Sequence, residues 1–316
     1  MKIRRDRMRI TRSSVLPNLI TVGNGICGFA ALVKILKVGV TSDQSPVLGG
    51  ENYLVMAAWL VLLGMVFDVF DGRVARMTGK TSDLGAQLDS LCDLLTFGVV
   101  PALLVVRINM IEEAVSPNWV WFLALLYFVG ALLRLARFNV ENDHDDDAHL
   151  CFKGLPSPAA AGCVATLVIL YYYIRDFRGV RLEYLSERIQ YLSEYKETLQ
   201  ASVAWIPYVL PLLAAFLGYT MVHTRLKFDH VASRLFGRHR SFDFMSKLVF
   251  GGVLVAALPE ILLPLFFIGY LISTPARALF RLATGKRDDP SPAIGGNGAD
   301  SGGPPSRLPD QHEVER

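Results

Sequence analysis

Four aspartates, Asp68, Asp71, Asp89 and Asp93, have the spacing in this chain that could do chemistry. Asp68 and Asp71 are three residues apart and Asp89 and Asp93 four apart, so on helices each pair shares one face. The pairs sit at the facing ends of two apolar runs, and an antiparallel helical hairpin would bring them opposite one another. Four carboxylates converging in low dielectric repel strongly unless something positive lies between them. Two divalent cations would supply that charge, and oxygen-only ligands suit Mg²⁺ or Mn²⁺ better than zinc. Paired cations serve displacement at phosphorus, because they neutralise phosphate and activate the attacking oxygen. Gly72, Ala75 and Gly85 remove bulk where a diphosphate or nucleotide must approach the helix backbone, and Arg76 offers a bidentate fork for phosphate. A single Asp near a helix end is ordinarily a cap or a solvated charge. An ionisable residue at a bilayer centre costs about 2.5–3.5 kcal/mol on insertion scales, so four at matched helical spacing point to function.

The elements that must position these residues are membrane helices. The chain has 316 residues, 52% of them hydrophobic, and the apolar residues are gathered in long runs. A hydrocarbon core of about 30 Å needs about 20 such residues per helix. Eight crossings are predicted, at roughly 17–39, 52–70, 86–107, 118–137, 157–174, 204–222, 243–258 and 261–276. The expected fold is therefore all-α and polytopic, with six core transmembrane helices and a C-terminal helical hairpin turning at Pro259-Glu260. Glu260 is read as interfacial at that outer turn. The segments after crossings two, four and six carry Arg73, Arg76 and Lys80; Lys153; and Arg225, Lys227, Arg234, Arg238, Arg240 and Lys247. The alternate loops at 40–51 and 108–117 hold only acidic charges, so the Lys/Arg bias places both termini in the cytoplasm.

Four regions follow from these shifts in composition. Residues 1–13 form a basic cytoplasmic segment, 14–222 the membrane domain, 223–280 a basic loop with the C-terminal hairpin, and 281–316 a disordered cytoplasmic tail rich in Gly, Pro, Ser and Asp. Net charge is only +3, which gives no polyanion-binding signal. The basic N-terminal cluster is read as an anchor at anionic lipid headgroups rather than a nucleic-acid arm, because an apolar segment follows it directly. That segment contains Asn18 and Asn24 and no clear small-residue cleavage site, so it reads as a retained helix rather than a cleaved leader. Leu182, Leu185, Ile189, Leu192 and Leu199 recur at helical steps and predict an amphipathic helix in the outer loop 175–203. Cys27, Cys92, Cys151 and Cys163 have no metal-ligand spacing and read as free thiols. His144 with Asp145, Asp146 and Asp147 reads as a solvated acidic loop, since four consecutive residues of a regular helix cannot all face one ion.

The run from Asp68 to Asp93 fits Dx₂DGx₂ARx₈Gx₃Dx₃D at every fixed position, and in this it resembles the CDP-alcohol phosphotransferase family. The resemblance implies that Asp68, Asp71 and Asp89 bind two divalent cations. It also implies that Asp93 is the general base on the acceptor hydroxyl, touching one metal as well. Further segments are similar to the phosphatidylserine synthase branch: Leu16–Thr21, Arg134–Asn139 and Phe152–Pro158, so the likeness spans about residues 14–175. By that likeness the substrates would be CDP-diacylglycerol and L-serine, and the assembly a homodimer. Arg134 and Arg137 could meet the serine carboxylate or the lipid phosphate, or could anchor a helix end in headgroups. Asn18 and Thr21 could contact the CDP moiety, or serve as caps and interhelical bonds. Lys153 could reach a phosphate or be an ordinary positive-inside residue.

Two other functions stay in view. A relative with a phosphorylated acceptor, glycerol 3-phosphate or an inositol phosphate, would want more cations in its pocket than a zwitterion does. A divalent-cation transporter would place its ligands near the midplane on broken helices or inverted repeats. No such repeat is evident here, and Arg76 would repel the cargo.

Overall fold

A computed structural model describes residues 15–38, 50–78, 83–142, 152–176, 198, 200–223, 227–228, 252–254 and 256–284. Within these, helices follow the apolar runs: α1 Val15–Lys37, α2 Gly50–Thr78, α3 Asp83–Asp93, α4 Val100–Glu112, α5 Pro117–Asn142, α6 Ser157–Asp176, α7 Ile206–Val222 and α8 Pro259–Thr284. Six spans are long and apolar enough to cross a membrane, from Asn18–Lys37 to Gln200–Val222, and they coincide with the first six predicted crossings within a few residues. The protein is an integral membrane protein on this count. Its surface helix faces carry Ile26, Phe29, Trp121, Phe122, Leu125 and Leu212, all exposed, as lipid contact requires.

The third crossing is not the regular helix the sequence predicts. Between α3 and α4 the backbone widens into a π-helical segment, Leu94–Val99, so the rod from Leu84 to Glu112 changes pitch just after Asp93. A widened turn leaves main-chain groups that need partners elsewhere. The buried Tyr127 hydroxyl donates to Phe97 O at 2.8 Å, and Thr96 Oγ1 donates to Asn24 O at 3.1 Å. The segment is thus pinned from α5 on one side and α1 on the other.

Helix contacts are set by small residues, since lipid gives little hydrophobic drive for helices to associate. α1 packs chiefly on α2, and α5 on α7. At the α5–α7 crossing a Cβ on Gly130 would meet Gly218 Cα at 2.6 Å, so the two backbones touch only because both residues are glycine. Two-residue strands β1 Phe152–Lys153 and β2 Lys227–Phe228 pair antiparallel, Phe152 opposite Phe228. Gly154, at φ +98°, then turns the chain toward α6 in a conformation that L side chains rarely adopt. Leu155 N donates to Thr220 O there, tying the turn to α7.

At the other end of the bundle Glu112 pairs with Arg175, and Arg107 donates to Val38 O. Asp93 and Glu112 are separated by about 28 Å of helix at 1.5 Å per residue, so that ion pair belongs to the opposite membrane surface. Cys27, Cys92 and Cys163 are buried free thiols.

α8 begins at Pro259 as expected, with Leu258 O accepting from the backbone N–H groups of Ile261 and Leu262. Proline at the first helical position lacks only an N–H that would have no helical partner. Most of the predicted crossing 243–258, the amphipathic segment 182–199 and the His144–Asp147 run lie outside the described residues, as does Cys151. Contacts divide the chain into a unit Met1–Ala278, which holds the bundle, and a unit Leu279–Arg316.

Candidate active site

The aspartates meet between the C-terminal part of α2 and the last turns of α3. One carboxylate oxygen each of Asp68, Asp71 and Asp89 lies within 4.8 Å of the other two. Asp71 is buried, and Asp68 and Asp89 are half-buried. At about 5 Å and an effective dielectric of about 20, each ionised pair in such a triad repels by roughly 3 kcal/mol. Asp71 Oδ2 and Asp89 Oδ1 are buried with no hydrogen-bond partner among the described residues. Buried carboxylate oxygens without donors are costly unless a cation meets them. The all-oxygen set, its crowding and these two oxygens fit a hard divalent cation.

Asp93 is not part of that triad. Its Oδ1 accepts a 2.8 Å bond from Asn24 Nδ2, and both residues are buried. The four expected carboxylates thus lie together as a triad with Asp93 beside it, within electrostatic range of Asp68, Asp89 and Asp71 and with one oxygen bonded to an amide. The amide comes from α1, which packs against both aspartate helices. Thr21, buried one turn before Asn24, hydrogen-bonds to the Asp71 carboxylate, and the Gly72 backbone N–H does so as well. Asn18 is half-buried a further turn back.

Three glycines allow α1 to come this close. A Cβ on Gly25 would meet Cys92 Sγ at 2.8 Å; one on Gly64 would meet Thr96 Cγ2 at 2.7 Å and Asn24 Oδ1 at 2.9 Å. Gly28 is likewise covered by Thr96 and Leu95. Gly72 differs: among the described residues a Cβ there would meet nothing within 4 Å, so they leave the helix surface beside Asp71 open. Gly85 is half-buried at the start of α3. Ala75 and Arg76 fall in the last turns of α2, and their side chains lie outside the described residues, as does that of Lys153 in β1.

Arg134 enters from α5. Its Nη1 donates to Ser157 Oγ at 2.7 Å, and it is near enough to Asp68 and Asp93 to interact electrostatically with both. Ser157 is fully buried at the first position of α6. Arg137, half-buried, follows one turn later on α5. On the same helix Asn139 Oδ1 accepts from Ser90 Oγ at 2.9 Å, which ties the end of α5 to α3 between Asp89 and Asp93. Asn24, Ser157 and Ser90 are site residues that the sequence reading did not assign. One signal was available for Asn24: Asn18, Thr21 and Asn24 recur every three residues in an otherwise apolar helix.

A carboxylate triad on a helical hairpin, a further buried carboxylate beside it and an arginine in range of both fit a metal-assisted transferase of phosphate groups. The sequence matches the CDP-alcohol phosphatidyltransferase family over residues 14–220, and the chain belongs to that family. It is 34% identical over 158 residues to the CDP-diacylglycerol–serine O-phosphatidyltransferase of Saccharomyces cerevisiae, covering 48% of this chain and 53% of that protein. It is 33% identical over 156 residues to the Bacillus subtilis protein of the same name, covering 49% of this chain and 76% of the relative. The Mycobacterium bovis protein of that name is 40% identical over 161 residues, 49% of each chain. The chain thus spans about half the length of the yeast and mycobacterial relatives and three quarters of the Bacillus one. No solved structure matches it.

Proposed function

We propose that this protein is a CDP-diacylglycerol–serine O-phosphatidyltransferase that makes phosphatidylserine and CMP. The observation that carries the chemistry is a triad of carboxylates with a fourth beside it that is hydrogen-bonded to an amide. Asp68, Asp71 and Asp89 form the place for two divalent cations, Mg²⁺ or Mn²⁺, which would neutralise the diphosphate and stabilise the leaving CMP. Asp93, held at one oxygen by Asn24, keeps its other oxygen to accept the proton of the serine hydroxyl. The serine oxygen forms a bond to the phosphatidyl phosphorus, and the bond from that phosphorus to the CMP oxygen breaks. Arg134, fixed by Ser157, offers a cation to the serine carboxylate or the lipid phosphate, and Arg137 adds a second charge one turn away. Gly72 leaves the backbone beside Asp71 open for the nucleotide, with Gly85, Ala75 and Arg76 on its approach and Asn18 at the rim. In this reading Thr21 positions Asp71, and Lys153 is a phosphate contact or a positive-inside charge.

The site opens to the cytoplasm, both termini lie on that side, and the enzyme works as a homodimer. The serine acceptor is favoured by the names of the relatives, each of which is a serine O-phosphatidyltransferase. Purified protein given CDP-diacylglycerol, Mg²⁺ or Mn²⁺ and a panel of labelled alcohols should release CMP far faster with L-serine than with glycerol 3-phosphate or inositol phosphate. Faster turnover with either phosphorylated acceptor would refute the serine assignment.

A further inference from the structure

α8 lies beyond the segment that matches the family, yet it reaches the site. Three contacts fix its course along α6. Glu260 lies near Tyr173, the Phe267 ring presses on Gly162, and Tyr270 lies within electrostatic range of Arg134, whose guanidinium binds Ser157 at the start of α6. The helix therefore runs antiparallel to α6, from the far membrane surface toward the carboxylates.

Beside it is a cavity of about 530 Å³, whose walls include Trp59, Leu62, Val66 and Phe70 of α2 and Leu263 and Phe267 of α8. That volume falls within the ~300–1,000 Å³ of ordinary ligand sites, and its lining is almost wholly apolar. α2 turns Asp68 and Asp71 inward and this face outward, so the link between cavity and site does not run through α2. It runs along α8. Leu263, Phe267 and Tyr270 are four and three residues apart and share one face, so the cavity wall continues, within one turn, to the neighbour of Arg134.

We propose that this cavity seats one acyl chain of the lipid substrate, with Leu263 and Phe267 as the side chains that select the chain and α8 as its outer wall. The inference rests on the reading of the substrate as CDP-diacylglycerol. An acyl chain is the occupant that suits an apolar, lipid-facing slot whose end abuts an arginine and a phosphate-transfer site. Headgroup chemistry stays with the carboxylates and Arg134, and the chain's fit depends on a helix outside the segment that matches the family.

The test uses the full-length protein in phosphatidylcholine vesicles with Mg²⁺ and a CDP-diacylglycerol carrying a photoreactive group on one acyl chain. No acceptor is present, so labelling does not depend on serine being the right alcohol. Labels should map to residues 59–70 and 263–267 and be suppressed by excess unlabelled CDP-diacylglycerol. Leu263→Trp, which fills the slot, should cut labelling and raise KM for a sixteen-carbon lipid about tenfold, the size expected from small steric changes in an apolar pocket. KM for serine should change less than about twofold in the same variant. Labelling that maps elsewhere, or that the competing lipid does not reduce, overturns the proposal. So does cross-linking of these positions to residues 243–251 or to a second copy in the presence of saturating lipid, since the slot would then be filled by protein. If Leu263→Trp fails to fold, the labelling map on the unaltered protein still decides.

Discussion

Replacing Asn24 with alanine should slow the chemical step while leaving both substrates and the metals bound. The amide donates a buried 2.8 Å bond to Asp93 Oδ1, and Thr96 Oγ1 bonds to the main-chain carbonyl of Asn24, not to its side chain. The variant therefore keeps the tie between α1 and the π-helical segment and loses only the hold on the carboxylate. A hydrogen bond to a charged partner contributes about 1.5–3 kcal/mol. At about 1.4 kcal/mol per factor of ten, that predicts a kcat loss of roughly 10- to 150-fold. The loss should not exceed that of Asp93→Asn, for which removal of a general base implies about 10²–10⁴-fold. CMP release measured against serine and against CDP-diacylglycerol should show the decrease in kcat with both KM values within about threefold. The double variant gives the sharper reading. If Asn24 acts through Asp93, then Asn24→Ala in an Asp93→Asn background should cost less than about twofold, because coupled residues are not additive. A full, independent loss in that background, or a single variant with more than half the normal kcat, would refute the positioning role.

Asp71→Asn removes charge from the triad at nearly constant volume; it should raise the Mg²⁺ or Mn²⁺ concentration needed for half-maximal CMP release, and added metal should restore part of the rate. Asp93→Asn should not be rescued by metal, so paired titrations distinguish a ligand from a base. Gly64→Ala would set a methyl 2.7 Å from Thr96 Cγ2 and 2.9 Å from Asn24 Oδ1, and overpacking of this kind costs about 1–3 kcal/mol. It should lower the thermal midpoint and the kcat together, whereas Gly72→Ala, with open space around it, should lower only lipid affinity. For orientation, single cysteines replacing Asp43 and Gln190 in a Cys-free background should react with an impermeant thiol reagent outside the cell, and those replacing Lys80 and Leu235 only after permeabilisation.

The crossings were legible in the sequence because bilayer thickness imposes a length on any apolar helix, and six spans fall where the runs predict them. The triad was legible for a similar reason: spacings of three and four on a hairpin determine which carboxylates can meet. What could not be read was relative rotation. Nothing in the apolar composition of Leu94–Val99 announces a π-helical segment, whose partners, Tyr127 and Asn24, lie on helices distant in sequence. Asp93 has the same spacing from Asp89 as a fourth ligand would have, and nothing in that spacing announces the Asn24 amide that bonds to one of its oxygens. Arg134 was legible as a charge near the site, but its orientation depends on Ser157, which is placed by the Gly154 turn.

α1 contributes no carboxylate, yet it sets the geometry of both halves of the site. Thr21 bonds to the Asp71 carboxylate and Asn24 to that of Asp93, from positions three residues apart on one helix. Because both bonds come from the same rigid element, a rotation or shift of α1 would disturb the triad and the base together. Its distance from α3 is fixed by Gly25 against Cys92, and from α2 and the π-helical segment by Gly64 and Gly28 against Thr96. The small residues and the polar ones are therefore two parts of a single requirement. The glycines let α1 approach closely enough for its short polar side chains to reach carboxylates on two other helices. Longer polar side chains could span a wider gap only with more rotamer freedom to lose, and would hold the carboxylates less firmly. An apolar helix interrupted by Asn, Thr and Gly reads as poorly packed in isolation; beside α2 and α3 those interruptions are what lets it bond to a carboxylate on each.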